Sequence, residues 1–206
     1  MTKATKPTAP VIEREIMWTG IGGQGVQLAA KILALAATAE GREVMSLGTY
    51  GGTMRGGNTD AAVVIANGRI ASPPMVSKCW GALIVHPRFY EPIRPKLRPG
   101  GLVFVDSDLL EEPLDAGAGN LVTVAATTLA REIDAPKAAA LILLGAFARA
   151  TEIVGLGALK ESLAKSLPSY RHQFLESNER ALSAGHAAGD PLTYPAWASP
   201  SRSERA

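Results

Sequence analysis

Four glycines fall within six positions, Gly20, Gly22, Gly23 and Gly25, at the junction of two differently patterned stretches. Before them runs a short apolar segment, residues 16–18; after them Val26, Ala29, Ala30, Leu33, Ala36 and Ala37 recur at spacings of three and four. The first pattern suits a strand and the second an amphipathic helix, so the junction reads as strand, tight turn, helix, the opening unit of a βαβ fold. Glycine serves there because the turn needs positive φ and because a missing Cβ lets another backbone or a ligand come close. The N–H groups that open the helix have no partner within it and favour an anion. A phosphate-bearing ligand is the natural expectation; the same turn can also serve only to pack strand against helix.

The first helix is expected from about Gly25 to Glu40, stopping at Gly41 as its C′ residue. Residues 44–47 read as a second strand. They lead into residues 48–58, where five of eleven positions are glycine, too many for a core element and too long for a plain hairpin. Residues 59–66 read as a strand, and Asn67-Gly68 is a strong hairpin signal that would return residues 69–71 antiparallel. Residues 81–85 and 102–105 are apolar runs of the kind buried on both faces of a parallel sheet, the second ending at Asp106. Residues 107–119 read as a polar loop and 121–124 as a further strand. Helices are expected over 136–150, with a proline in the first turn, over 159–167 and over 170–188. The class is therefore α/β: a Rossmann-like open, mostly parallel sheet with helices on both faces and one β-hairpin. Residues 1–12 read as a flexible arm, 13–188 as one domain, and the proline- and serine-bearing stretch 189–206 as an extended tail unable to bury a core of its own.

Composition narrows the function by exclusion. The 206 residues carry a net charge of +2, too little to argue for nucleic acid. A single cysteine, Cys79, rules out an internal disulfide and an iron–sulfur or zinc–cysteine site made by this chain alone. No run approaches the roughly 18 apolar residues of a membrane span, and residues 1–10 lack the apolar stretch of a signal peptide, so a cytoplasmic location is expected. His86, His172 and His186 show no metal-ligand spacing, and no Gly-x-Ser-x-Gly elbow supports a serine triad. No catalytic and no metal-binding residue is expected.

Gly20-x-Gly22-x-x-Gly25 also satisfies the dinucleotide fingerprint, which makes a stand-alone NAD(P)-binding dehydrogenase an alternative. That reading asks for an acidic residue at the end of the second strand, to hold the ribose hydroxyls. Here that end reads Met45-Ser46-Leu47-Gly48, and the confirming group is missing.

Further motifs carry a resemblance. Residues 20–26 (Gly-Ile-Gly-Gly-Gln-Gly-Val) are followed by Tyr50-Gly-x-x-x-Arg55-Gly-Gly, Ile70-x-Ser72-Pro73 and Pro99-Gly-Gly-x-Val-x-Val-Asp106. Leu144-Gly145-Ala146 and Asn178-x-x-Ala181-x-x-x-Gly185 complete the series. Over residues 14–188 the chain resembles the gamma subunit, or gamma domain, of the 2-oxoacid:acceptor (ferredoxin) oxidoreductases. The resemblance implies oxidative decarboxylation of a 2-oxoacid to an acyl-CoA, with electrons passed to ferredoxin or a similar acceptor. It implies thiamine diphosphate and iron–sulfur clusters in partner subunits, and for this chain a part in assembly and in the CoA cleft. A purely structural assembly subunit is the other alternative. The sequence departs from the family pattern at Cys79-Trp80-Gly81, in place of an aspartate, and at Ala135-Pro136-Lys137, in place of an asparagine.

The candidate binding residues are Gly22, Gly23, Gln24, Gly25, Tyr50, Arg55, Gly56 and Asn58. Gln24 could donate to a phosphate or only cap the helix. Arg55, a guanidinium in a glycine loop, could clamp phosphate with two bonds or pair with a neighbouring subunit. Tyr50 and Asn58 flank that loop. Asp106 ends a strand at the same edge, where such residues often only cap the next turn. The reading requires both glycine segments at one rim of the sheet, with Gly22 and Gly56 on the same side.

Overall fold

A computed structural model describes residues 10–50, 56–71 and 76–198, the side chains of Thr49 and Tyr50 excepted. Among the described residues six strands form one sheet: β1 (Glu13–Ile21), β2 (Glu43–Tyr50), β3 (Asn58–Ala66), β4 (Cys79–Ile84), β5 (Leu97–Asp106) and β6 (Asn120–Val124), in the order β2-β3-β1-β4-β5-β6. β1, β4, β5 and β6 are mutually parallel, whereas β3 runs antiparallel between β1 and β2. This is the mostly parallel α/β sheet expected of the chain.

The α-helices α1 (Val26–Ala39), α2 (Ala126–Glu132), α3 (Ala139–Thr151), α4 (Leu156–Ser166) and α5 (Leu175–Ala188) share one core with one face of the sheet. The other face buries Met17, Ala82, Ile84, Val103 and Val105 beneath Tyr90 and Ile93, which adjoin two short 3-10 helices, Pro87–Phe89 and Arg94–Lys96. Helical cover is thus present on both faces but unequal. The alternation of the strands explains the division: Ile16, Trp18, Leu83 and Phe104 point to the α-helical side, their sequence neighbours to the other.

α3 is the keystone of the larger core. Phe147 stacks edge-on against Phe104 at 5.3 Å and against Trp80 at 5.9 Å, which fastens the helix to the sheet. On its other side it crosses α5 backbone to backbone. A Cβ on Gly145 would lie 2.7 Å from the His186 nitrogen, and one on Gly185 would lie 2.6 Å from the Ile142 carbonyl carbon. The motif residues Gly145 and Ala181-x-x-x-Gly185 are thereby explained as a close helix crossing.

α1 ends as the sequence predicts. Gly41 takes φ 76°, its N–H donates to the Thr38 carbonyl at 3.0 Å, and the Arg42 N–H donates to the Ala37 carbonyl at 3.0 Å. That pair of bonds is a Schellman motif. Two expectations need correction. Asn67-Gly68 starts no hairpin: the Asn67 side chain accepts from the Ile12 N–H at 2.8 Å and its N–H donates back to Ile12, while residues 69–71 form no strand. The antiparallel pair lies one connection earlier, where β2 pairs with β3 in the register Tyr50↔Thr59. The helix expected from Pro136 begins at Ala139, since residues 134–138 form a separate turn with Asp134 at φ 55°.

The end of the described chain is held against the domain. The N–H groups of Leu192, Tyr194 and Ala196 donate to the carbonyls of Arg149, Ala150 and Thr151 at the end of α3. Those carbonyls have no acceptor role left within the helix, so the tail satisfies them. Arg14, only 5 % exposed, donates to the Ala196 carbonyl at 2.6 Å and lies 4.5 Å from the Trp80 ring, while Arg42 lies 4.1 Å over Trp197. No helix among the described residues is long and apolar enough to cross a membrane.

Candidate functional site

The turn between β1 and α1 is closed by a reciprocal clip. The Ile21 N–H donates to Gln24 Oε1 at 2.7 Å, and the Gln24 N–H donates to the Ile21 carbonyl at 3.1 Å. Gln24 thus caps the turn with its side-chain oxygen. Gly23 and Gly25 take φ 103° and 83°, values that a residue with a Cβ adopts only under strain. Gly20 is glycine for a different reason: a Cβ there would lie 2.8 Å from Val26 and 3.2 Å from Val85.

The second glycine segment meets the first. The Gly22 N–H donates to the Gly57 carbonyl at 2.9 Å, and a Cβ on Gly22 would be 3.8 Å from the Gly56 nitrogen. Gly22 and Gly56 therefore stand together at one rim. Asn58, the first residue of β3, points its amide at Asp60 Oδ2 (2.8 Å). Tyr50 ends β2 at the same rim, its side chain lying outside the description, and Arg55 lies outside the described residues.

Behind the turn opens a cleft of about 540 Å³. Gly23, Gly25 and Leu28 form one wall, residues 134–138 a second, and Arg171, Phe174, Ser177 and Asn178 a third. Two α-helix starts border it, α1 after Gly25 and α3 after Ala138, and in neither does a side chain of the N-cap residue cap the first turn. Their first turns have N–H groups with no acceptor within the helix and carry about half a positive charge each. α5 is no such start, because it continues from the 3-10 helix of residues 169–174, where the Leu175 N–H donates to the His172 carbonyl. Lys137 and Arg171 add two cations against one carboxylate, Asp134. The electrostatics of the cleft suit an anion.

Lys137, Arg171 and Asn178 escaped selection from the sequence as binding residues. Lys137 stands within one departure from the family pattern and Asn178 within a motif of the resemblance, so those were the only available signals. Arg171 had none, because its place depends on how residues 169–174 fold back over α1. A cleft of about 590 Å³ lies elsewhere, bounded by His86, Arg88, Tyr90 and residues 109–115. It contains neither glycine segment and no α-helix start.

Other candidates resolve into structural roles. Asp106, fully buried, accepts from the Ala126, Thr127 and Asp108 N–H groups through Oδ1 and from the Thr127 hydroxyl through Oδ2, capping α2. α2 itself was invisible beforehand: seven residues with two threonines form a weak helix, which this cap holds in place. Cys79 is fully buried, and desolvation pushes its thiol up to about 12, so it is held as the thiol and not the thiolate. No group of three or more His, Cys, Asp or Glu among the described residues is placed to hold a metal ion.

Fold and cleft together define an α/β domain of the glycine-turn class, presenting backbone N–H groups and cations at one rim of its sheet. The chain belongs to the pyruvate ferredoxin/flavodoxin oxidoreductase family, whose model matches residues 15–188. The 2-oxoglutarate synthase subunit KorC of Methanocaldococcus jannaschii is 29 % identical over 88 % of this chain and 96 % of its own length. The common gamma subunit of the pyruvate/ketoisovalerate oxidoreductases of Thermococcus litoralis is 31 % identical over 72 % of this chain and 84 % of its own. Among solved structures, the gamma subunit of a keto/oxoacid ferredoxin oxidoreductase from Geobacter sulfurreducens superposes with a TM-score of 0.70 at 26 % identity, covering 85 % of this chain and 97 % of that one.

Proposed function

We propose that this chain is the gamma subunit of a 2-oxoacid:acceptor oxidoreductase, and that it holds the phosphate-bearing part of CoA while its partner subunits perform the redox chemistry. The observation that carries the second half is the convergence of two uncapped helix starts, Lys137 and Arg171 on the cleft behind the glycine turn. CoA bears several phosphate charges, and dipoles fixed in this way stabilise such charge without reorganising. The chain's residues suit no cluster of their own: its single cysteine is fully buried and protonated. Thiamine diphosphate and iron–sulfur clusters accordingly belong to partner subunits, and the role of this chain is to bind, orient and close.

Gly23 and Gly25 supply bare backbone to the cleft, Gln24 keeps their turn shut, and Gly22 joins the rim to the second glycine segment at Gly57. The test is steady-state kinetics of the assembled enzyme. Lys137→Ala with Arg171→Ala is expected to raise the KM for CoA about tenfold, the effect of losing one charged hydrogen bond, with the KM for the 2-oxoacid unchanged. An unchanged CoA KM would favour an assembly role alone. Saturable NADH binding by the isolated chain would favour the dehydrogenase alternative.

A further inference from the structure

On the sheet face away from the α-helices, three polar side chains form a cluster beside the contact between the two glycine segments. Thr19 of β1 stands opposite Asp60 of β3 in the antiparallel register. The Thr19 hydroxyl donates to Asp60 Oδ1 at 2.7 Å, and the Asn58 amide donates to Asp60 Oδ2 at 2.8 Å. Thr19 is fully buried, and its oxygen is also 3.2 Å from Asn58 Oδ1. From the opposite face, Gln27 in the first turn of α1 donates through Nε2 to the backbone carbonyl of Asp60 at 2.6 Å. Gly48 of β2 lies beside that reach, and a Cβ there would be 3.2 Å from the Gln27 amide carbon. One residue thus ties together β1, β3 and the start of α1.

The sequence offers no reason for an acid at this point, since residues 58–60 enter a strand that is otherwise apolar. Its geometry supplies one. The Gly22–Gly57 hydrogen bond lies next to the cluster in the same β1–β3 ladder, where Ile21 stands opposite Asn58 and Gly20 opposite Thr59. Glycine segments have no side chains to fix their mutual position, and their conformational freedom is large. Some adjacent group must hold them.

We propose that Asp60 is a positioning residue: by fastening Thr19 and Asn58 it sets the register in which the two glycine segments meet, and so the shape of the rim offered to CoA. This rests on the CoA reading above for its functional consequence, but not for its structural one. Asp60→Ala removes the bonds to Thr19 and Asn58. Asp60→Asn keeps an acceptor for Thr19 and, with the Asn58 amide turned over, a bond to Asn58 as well. Thr19→Val removes one donor at nearly constant shape.

Two readouts decide it. In amide hydrogen exchange of the folded chain, Asp60→Ala and Thr19→Val are expected to speed exchange at Gly22 about tenfold, the effect of a lost buried hydrogen bond, while Asp60→Asn stays near wild type. In the assembled enzyme, Asp60→Ala is expected to raise the KM for CoA by a similar factor with kcat and the KM for the 2-oxoacid held within about twofold, and Asp60→Asn is expected to restore it. Unchanged exchange at Gly22 in Asp60→Ala would overturn the proposal, as would a loss of kcat and both KM values together, which would mark general unfolding. If exchange accelerates while neither Asp60→Ala nor the Lys137/Arg171 pair moves the CoA KM, the positioning role stands and the CoA reading falls.

Discussion

Glu15 shows how one residue can carry a measurable cost inside a well-packed sheet. It is 3 % exposed and bonded to Arg98 at 2.5 Å, with its second oxygen buried and unbonded. Desolvation raises its carboxyl above the usual 4.5, outweighing the attraction of the Arg98 guanidinium. A raised folded-state value means that the protonated form is the better fit to the fold. That contribution to stability is therefore complete below pH 4.5 and is lost as pH rises through the folded value. Glu15→Gln mimics the protonated state, and Arg98, being partly exposed, can turn to water. The melting temperature of Glu15→Gln is expected to match wild type near pH 4.5 and to exceed it at about pH 7.5, as thermal unfolding at the two pH values would show. An equal difference at both would contradict the assignment. At this scale the sequence disclosed Gly41, Gly23 and Gly25 through their conformational needs, but not Glu15, whose burial depends on strands that are remote in sequence.

Among the elements, α3 and α5 are the most sensitive pair. Replacing a helical glycine by alanine adds about 1 kcal/mol of helix propensity. At Gly185 the added methyl would overlap the Ile142 backbone, and a rigid backbone cannot move aside as a flexible side chain could. Overpacking of this kind costs about 3 kcal/mol or more, so Gly185→Ala is expected to be net destabilising by at least about 2 kcal/mol. The midpoint of denaturant unfolding would report it. The hairpin makes the complementary point about what sequence alone can offer. Asn67-Gly68 has the right chemistry for a two-residue turn, yet it is recruited to bond Ile12. The antiparallel pairing is made instead by β2 with β3, because β3 finds its partners in β1 and β2 on either side.

For the molecule as a whole, the most consequential arrangement is the fastening of the chain's end to its beginning. Arg14 and Arg42, 182 and 155 residues from their respective partners Ala196 and Trp197, meet the stretch that follows α5. Removing residues 190–206 would uncover the last carbonyls of α3 and take from the buried Arg14 the carbonyls of Ala196 and Ala198. A deletion ending at Gly189 is expected to lose about 2–4 kcal/mol, since stranded buried polar groups cost about 1–3 kcal/mol each and charged ones more. Chemical denaturation would measure it, and an unaltered midpoint would show that the tail contributes nothing.

Local pattern was enough to determine the α/β class, the strand–turn–helix opening, the end of α1 at Gly41 and the family, because each follows from residues close together or from motifs in a fixed order. Contacts between distant segments decided the rest. The insertion of β3 between β1 and β2 brought Gly22 against Gly57, and the folding of residues 134–138 and 171–178 over α1 brought Lys137, Arg171 and Asn178 to one cleft. Backbone bonds and helix dipoles depend on where whole elements lie, and that placement is settled only when the core packs.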